Sequence, residues 1–286
     1  MEINDLIKKI LSSGTIKALV DMSDYDTSCK SIIKQIHPDK CSLPNANDAF
    51  LKFMELKNLF DGGFSFDDDA GKVTIKETVI KFEGNKDLIA KSVTNYNKLY
   101  NLAKSTKDGF IQYLPEKFTG DEIVLNANFL SLKDTILAEE HVRWIINRLF
   151  EFSAYIEKSG YVHGGLTLDS FVVNPINHSI KVISFYHMRP INSKLETISA
   201  KYRMLYPASV FDKKLAENKI DVELVKRTGC LILGDSSSIG VKLKKTVSDA
   251  LIQFLLRTSL NSIDNFYEYK KLLKDNYESK FYDLKL

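Results

Sequence analysis

A proline stands between two helix-patterned runs near the start of the chain, and it dictates where that stretch must turn. Pro38 lacks a backbone N–H and has a locked φ, so no helix runs through Ile36-His37-Pro38-Asp39-Lys40. Before it, Cys29, Ile32, Ile33 and Ile36 recur at helical spacing, while Lys30 and Lys34, four apart, share another face. After it, Asn45 to Phe60 sets Ala46, Ala49, Phe50, Phe53, Leu56, Leu59 and Phe60 on one stripe, and Asp61-Gly62-Gly63 ends the run. The pattern predicts two helices packed as a hairpin with a polar loop at the tip. A shorter apolar set, Ile3, Leu6, Ile7, Ile10 and Leu11, precedes them, and Gly14 interrupts it before Ile16 to Val20.

The tip carries recognition chemistry rather than catalytic chemistry. Pro38 biases His37 out of the helical region, so the loop is preset before any partner arrives. Asp39 is then an anion able to pair with an arginine, with Lys30, Lys34 and Lys40 as positive charge beside it. Read without its flanks, His-Pro-Asp is also what a helix-breaking turn looks like, with Asp39 capping the next segment. With its flanks, a basic helix before it and the run AFLKFMELKNLFD after a short polar spacer, residues 1–62 resemble the J domain of co-chaperones that stimulate heat-shock chaperone ATPases. The resemblance implies that Lys30, Lys34, His37, Pro38, Asp39 and Lys40 form the chaperone-binding face.

At 286 residues the chain has room for a small domain and a large one. A net charge of +3 with scattered lysines argues against a nucleic-acid interface. No apolar run is long enough to cross a bilayer and no signal-peptide core opens the chain, so no membrane partner and a cytoplasmic location are expected. Cys29, Cys41 and Cys230 form no CxxC pair, and the five histidines lie at no metal-ligand spacing, so neither a metal centre nor a cofactor is expected. The heavy use of Lys, Asn and Ile suits an AT-rich genome, as many bacterial and bacteriophage genomes are.

Residues 63–71, rich in Gly and Asp, read as a linker or an opening hairpin. A small mixed lobe is expected over 72–137: a strand from Lys72 to Phe82, a helix from Asp87 to Lys104, and strands at Phe110 to Leu114 and Glu122 to Leu125. A helical lobe is expected over 138–286. Its first run, Ala138 to Ser159, has an apolar stripe too broad for a surface helix. A polar loop follows, YVHGGLTLDS, and then a hairpin of Phe171 to Val173 and Ile180 to Phe185. Val247 to Leu256 and Ile263 to Tyr277 are two further helical runs.

A long apolar helix, a His-led loop and a short hairpin ending in a triplet resemble the core of the protein kinase fold. The fold class implied for the whole chain is α+β, a J-like helical domain followed by a two-lobed kinase-like domain. Carried over residue by residue, His163 takes the first place of the catalytic loop. The catalytic aspartate place falls on Gly165, the phosphate-contacting lysine place on Thr167 and the metal-binding asparagine place on Ser170. Ser184-Phe185-Tyr186 stands where Asp-Phe-Gly would be, and Ser209 stands at the glutamate place of Ala-Pro-Glu. Asp221 resembles the aspartate that supports the loop from below. Lys81 resembles the nucleotide lysine, but no Gly-x-Gly-x-x-Gly precedes it, and Ser92, Thr94 and Asn95 occupy the region of its glutamate partner; an exposed strand-end lysine is the other reading.

Phosphoryl transfer needs the nucleotide's charge neutralised and the attacking hydroxyl oriented, and neither group stands at the matching places. The implied function is a J-domain co-chaperone that recruits a heat-shock chaperone ATPase, with a catalytically dead kinase-like domain that binds a client or an assembly. Two other classes stay open: an atypical phosphotransferase with a regulatory hairpin, and a structural or decoy protein that occupies host chaperone.

Overall fold

The computed structural model describes residues 2–106, 109–280, 282 and 284, without the side chain of Leu59. Leu59 of the expected second-helix stripe, residue 1 of the expected helical domain, residues 107 and 108 of the mixed lobe and the last positions of the helical lobe therefore lie outside the described residues. The chain is α+β, with an N-terminal helical region followed by a lobe that contains a sheet. It divides into two compact units: residues up to Ser65 with Thr74–Glu77, and Phe66–Val73 with Thr78–Leu284.

The first unit packs three helices, α1 (Ile3–Ser12), α2 (Tyr25–Ile36) and α3 (Ala46–Gly62). Leu6, Ile7 and Ile10 of α1 are buried against Cys29, Ile32 and Ile36 of α2 and Ala46, Ala49, Phe53 and Leu56 of α3. These are the positions the 3.6-residue period selects, and removing apolar area from water at each is what fixes the bundle. Ile3 and Leu11, at the two ends of α1, remain exposed. Two 3-10 turns, Ile16–Ala18 and Met22–Asp24, carry the chain to α2. The far end of the α2–α3 hairpin is pinned by Tyr25, whose hydroxyl donates to Asp61 at 2.6 Å and whose ring meets Phe60 at 5.0 Å; Lys57 also pairs with Asp61. Gly63 ends α3 at φ +73, where a Cβ would lie 2.5 Å from the Ile75 carbonyl oxygen.

The residues expected as a linker or an opening hairpin carry strand and turn: β1 (Phe64–Asp68) leads into β2 (Gly71–Lys76). The strand expected from Lys72 to Phe82 is two strands, β2 and β3 (Val79–Gly84), because Glu77 takes a left-handed φ of 53° and turns the chain. α4 (Lys86–Thr106) follows. The strand expected at Phe110 to Leu114 is a 3-10 helix, Gly109–Tyr113, with Phe110 and Tyr113, three apart, both buried. β4 (Lys117–Thr119) and β5 (Glu122–Val124) complete a five-stranded sheet in the order β1-β2-β3-β5-β4. β3 runs antiparallel to β5, pairing Ile80 with Ile123 and Lys81 with Glu122.

The helical part of the second unit is built on α5 (Glu139–Lys158), whose Val142, Ile145, Ile146, Leu149, Phe150, Phe152 and Ile156 are all buried. β6 (Tyr161–Val162), β7 (Phe171–Val173), β8 (Ile180–Val182) and β9 (Arg189–Pro190) form two small ribbons, β6 with β9 and β7 with β8. β8 stops at Val182, so Ser184 and Phe185 leave the strand expected to hold them. After α6 (Ser209–Lys213) come α7 (Lys219–Ile232), α8 (Asp249–Leu256) and α9 (Ser262–Asn276), of which α7 and α9 pack on α5. Among the described residues no helix is long and apolar enough to cross a membrane.

Candidate functional site

The hairpin tip of the first unit is ordered by its own backbone. His37 leaves α2 at φ −58°, ψ 133°, the extended region that the following proline favours. Its carbonyl accepts from the amides of Lys40 and Cys41, each at 2.9 Å, and its ring meets Phe50 edge-on at 5.2 Å. Asp39 donates its backbone N–H to His37 Nδ1 at 3.2 Å, while its carboxylate, 3.6 Å from that nitrogen, is 85% exposed. Pro38 and Lys40 are exposed beside it, and Lys30 and Lys34 are exposed on α2. His37, Phe50 and buried Cys41 thus anchor a loop whose charged groups face solvent.

In the second unit the loop after β6 is held from beneath by α7. Asp221, 2% exposed, accepts the backbone N–H of His163 on one carboxylate oxygen and that of Gly164 on the other, both at 2.7 Å. Burial pushes its carboxyl up to about 7, against the pull of those two amides. Burial pushes the His163 imidazole the opposite way, down to about 3. A neutral ring fits both of its contacts: Nε2 lies 2.8 Å from the Ser184 carbonyl oxygen, and Nδ1 accepts the Gly165 N–H at 3.3 Å. The same ring meets Phe185 at 5.7 Å, and an aromatic column continues through Tyr96 at 6.0 Å to Phe118 at 5.8 Å. α4 holds the backbone of this segment with two polar side chains one turn apart. Ser92 Oγ accepts the Phe185 N–H at 2.8 Å, and Asn95 Nδ2 donates to the Phe185 carbonyl at 2.9 Å.

The structure thus brings together His163, Gly165, Ser184 and Phe185, and it turns the remaining loop positions inward. Thr167 and Ser170 satisfy each other, Ser170 Oγ accepting the Thr167 N–H at 3.1 Å and donating to its carbonyl at 2.8 Å. At Gly165 a Cβ would stand 2.7 Å from His187 Cδ2, so the His187 ring fills the space a side chain there would need. Lys81 is not part of this cluster: its side chain is 60% exposed and its ammonium lies 3.7 Å from Glu122 across the β3–β5 pair.

A second set of groups, invisible in the sequence motifs, covers the same place. The Asp67-Asp68-Asp69 turn between β1 and β2 reaches the segment after Phe185. Tyr186 donates to Asp68 at 2.5 Å, His187 Nε2 lies 3.0 Å from Asp69, and the Ala200 N–H donates to Asp69 at 2.9 Å. Lys133 donates to the Asp67 carbonyl at 3.1 Å. Asp169, 6% exposed, accepts from Tyr202 at 2.7 Å and Lys201 at 3.2 Å, with Lys133 at 3.9 Å. Burial raises the carboxyls of Asp68 and Asp169 from their ordinary value; burial also presses on Asp69, but the hydrogen bond from His187 holds it below. Three carboxylates from two segments therefore gather around two lysines and two tyrosines. Asp-Asp-Asp-Ala-Gly at a strand turn was the available signal, but composition alone presents it as a solvated linker. Among the described residues no group of three His, Cys, Asp or Glu side chains is arranged to hold a metal ion.

Comparison with family models and with curated proteins gives no match. Among solved structures, one titled "Structure of vaccinia related kinase 3" is similar at 12% sequence identity and a TM-score of 0.44, over 75% of this chain and 91% of that one.

Proposed function

We propose that this chain is a co-chaperone of the J type, in which the α2–α3 hairpin recruits a heat-shock chaperone ATPase and the second unit is a kinase-like binding platform without phosphotransfer activity. The observation that carries the first half is Asp39: a carboxylate 85% exposed on a loop whose backbone is already fixed. A charge-assisted bond to an arginine at an interface centre is worth a few kcal/mol, whereas a rim charge alters mainly association rate and salt dependence.

The second half is supported by what fills the space around Gly165, the position that the kinase resemblance gives to the catalytic aspartate. His187 occupies the room beside Gly165 that a catalytic carboxylate would need, and the Asp68–Asp69 turn lies over Tyr186 and His187. Asp68, Asp69 and Asp169 are already engaged by Tyr186, His187, Tyr202 and Lys201, so a magnesium triphosphate would have to displace these partners to use any of them. α4 offers Ser92 and Asn95 to backbone rather than a glutamate to a lysine.

The test is steady-state ATP hydrolysis by a heat-shock chaperone from the same cell, with and without the chain. Wild type is expected to accelerate it, and Asp39→Asn to abolish the acceleration with an unchanged melting temperature, since exposed substitutions cost little stability. Lys30→Ala with Lys34→Ala is expected to weaken it increasingly as salt is added. Absence of acceleration by wild type, or equal acceleration by Asp39→Asn, sinks the co-chaperone reading. Magnesium with ATP is expected to leave the melting temperature of the second unit where it was; a saturable rise that needs both would overturn the non-catalytic reading, because a ligand that binds only the folded state stabilises it.

A further inference from the structure

The loop between α7 and α8 presents apolar side chains that nothing in its own unit covers. Ile239 is 62% and Val241 61% exposed, and Leu256, at the end of α8, is 45% exposed. The exposure is not that of a slack segment. Asp235, fully buried, accepts the Ser237 N–H at 3.0 Å on one oxygen and the Gly240 N–H at 2.6 Å on the other, which cinches the loop into a fixed shape. Gly240 sits at φ +77, where a Cβ would lie 2.6 Å from Leu256 Cδ2, so the loop rests directly on the Leu256 side chain. At the other end of the loop Ile136, 72% exposed, lies against Gly234, 3.3 Å from where a Cβ would be. Ile136 and Leu256 therefore lie against the two ends of the hydrogen-bonded loop that carries Ile239 and Val241. Directly after them Lys242, Lys244 and Lys245 are all exposed, while Leu243 between them is buried and holds the 3-10 turn down.

We propose that this surface docks an acidic amphipathic peptide segment of a partner protein, its aliphatic side chains seated among Ile136, Ile239, Val241 and Leu256 and its carboxylates facing Lys242, Lys244 and Lys245. The inference rests on the reading of the second unit as a binding platform. Charge complementarity selects the partner: three lysines bordering an aliphatic surface favour a segment that alternates acidic and aliphatic groups. An anionic bilayer is the other surface with that chemistry. Asp134 and Asp249, both exposed and within a few residues in sequence of Ile136 and of the lysine turn, disfavour it, because a broad negative surface would meet their charge as well. The four apolar residues are also all aliphatic, without the Trp or Phe that interfacial anchors use.

The probe is a fluorescein-labelled synthetic peptide of Leu and Glu, titrated by fluorescence anisotropy against the full chain, with its Leu and Lys counterpart and phosphatidylserine vesicles as separate arms. Saturable binding of the Glu peptide is expected, weakening with salt, and none of the Lys peptide. Ile239→Asp with Val241→Asp is expected to weaken binding about tenfold or more, equivalent to about 1.4 kcal/mol. Lys242→Glu with Lys244→Glu and Lys245→Glu is expected to remove both the binding and its salt dependence, and Ile176→Asp, at an isoleucine more exposed still on the β7–β8 turn, to change nothing. Chaperone ATPase stimulation is measured on every variant and stays at the wild-type level, which separates failure here from failure of the co-chaperone reading. Absence of saturable Glu-peptide binding, equal binding by the Ile239 and Val241 variant, or binding of vesicles that the Glu peptide does not compete for would each overturn the proposal.

Discussion

His163 and Asp221 hold one loop from two sides, and their protonation works in opposite directions. Burial takes the imidazole from 6.5 to about 3, so the unfolded chain binds a proton that the folded one refuses, and this contribution to stability is lost as pH falls below 6.5. Burial takes the Asp221 carboxyl from 3.8 to about 7, so the folded chain keeps a proton that the unfolded one releases, and this contribution is lost as pH rises from 3.8 towards 7. Where the windows overlap, between about pH 4 and about pH 6.5, the two slopes of about 1.4 kcal/mol per pH unit cancel. Asp221→Asn removes one of them. Urea unfolding at about pH 4.5 and about pH 6 is expected to show the variant losing about 2 kcal/mol more than wild type at the lower pH; equal pH dependence in both proteins would show that the two groups are not opposed. Gly165→Asp belongs to the same scale. The carboxylate would enter space that His187 fills, so a loss of about 3 kcal/mol or more is expected, with no gain of phosphotransfer, read from thermal melts and an ATP turnover assay. His163 and Asp221 were legible through the resemblance of the loop and of the helix below it, and the two amides that Asp221 accepts are the physical counterpart. The filling of Gly165 by His187 was not legible, since it depends on where residue 187 comes to rest after leaving β8.

The elements themselves were legible where a long period ran uninterrupted. α3, α4, α5 and α9 lie within a few residues of their apolar stripes, since burial along one face leaves a repeating trace. Short β elements left weaker traces. The buried residues of β2 are odd-numbered, Val73 and Ile75, and those of β3 even-numbered, Ile80 and Phe82; this change of parity marks the Glu77 turn and is easily lost inside one apparent strand. Phe110 to Leu114 is rich enough in aromatics to suggest a strand, but its three-residue spacing of buried rings is that of the 3-10 turn found there. At the β1–β2 turn, Gly71 and Gly84 face each other at φ +130 and +148, and a Cβ on either would strike the opposite strand, at the Glu83 carbonyl oxygen or the Ala70 carbonyl oxygen. Gly84→Ala is therefore expected to cost about 3 kcal/mol, as a side chain forced into a glycine-only conformation with backbone in its way. Thermal melts read it: a shift no larger than that of an ordinary exposed substitution would mean the two strands can part without loss.

The division of the whole molecule left no sequence signal at Thr74–Glu77, which belong to the first unit although the rest of β2 does not. Contacts far apart in sequence place them there: Lys76 donates to the Asp61 carbonyl at 3.0 Å, and Lys17 pairs with Glu77 at 2.8 Å. The division has an optical consequence, because the one tryptophan, Trp144, is in α5 and stacked on His178 at 4.2 Å. Tryptophan fluorescence should follow the second unit alone, whereas far-UV circular dichroism should follow both. Phe53→Ala, a cavity in the first unit costing about 3–5 kcal/mol, is expected to displace only the dichroism step that fluorescence does not see; a displaced fluorescence transition would mean the units unfold as one.

The outward Lys81 is tied to the packing of its own strand. Its register opposite Glu122 puts it on the face of β3 away from Ile80 and Phe82, which are 0% and 2% exposed. Turning that ammonium inward needs a one-residue slip, and the same slip would carry both apolar side chains out to water. A lysine on the inward face of β3 would have to replace Ile80 or Phe82 itself, at the cost of a buried apolar side chain. The ion pair with Glu122 and the burial of Ile80 and Phe82 are thus two readings of one register, and neither can change without the other.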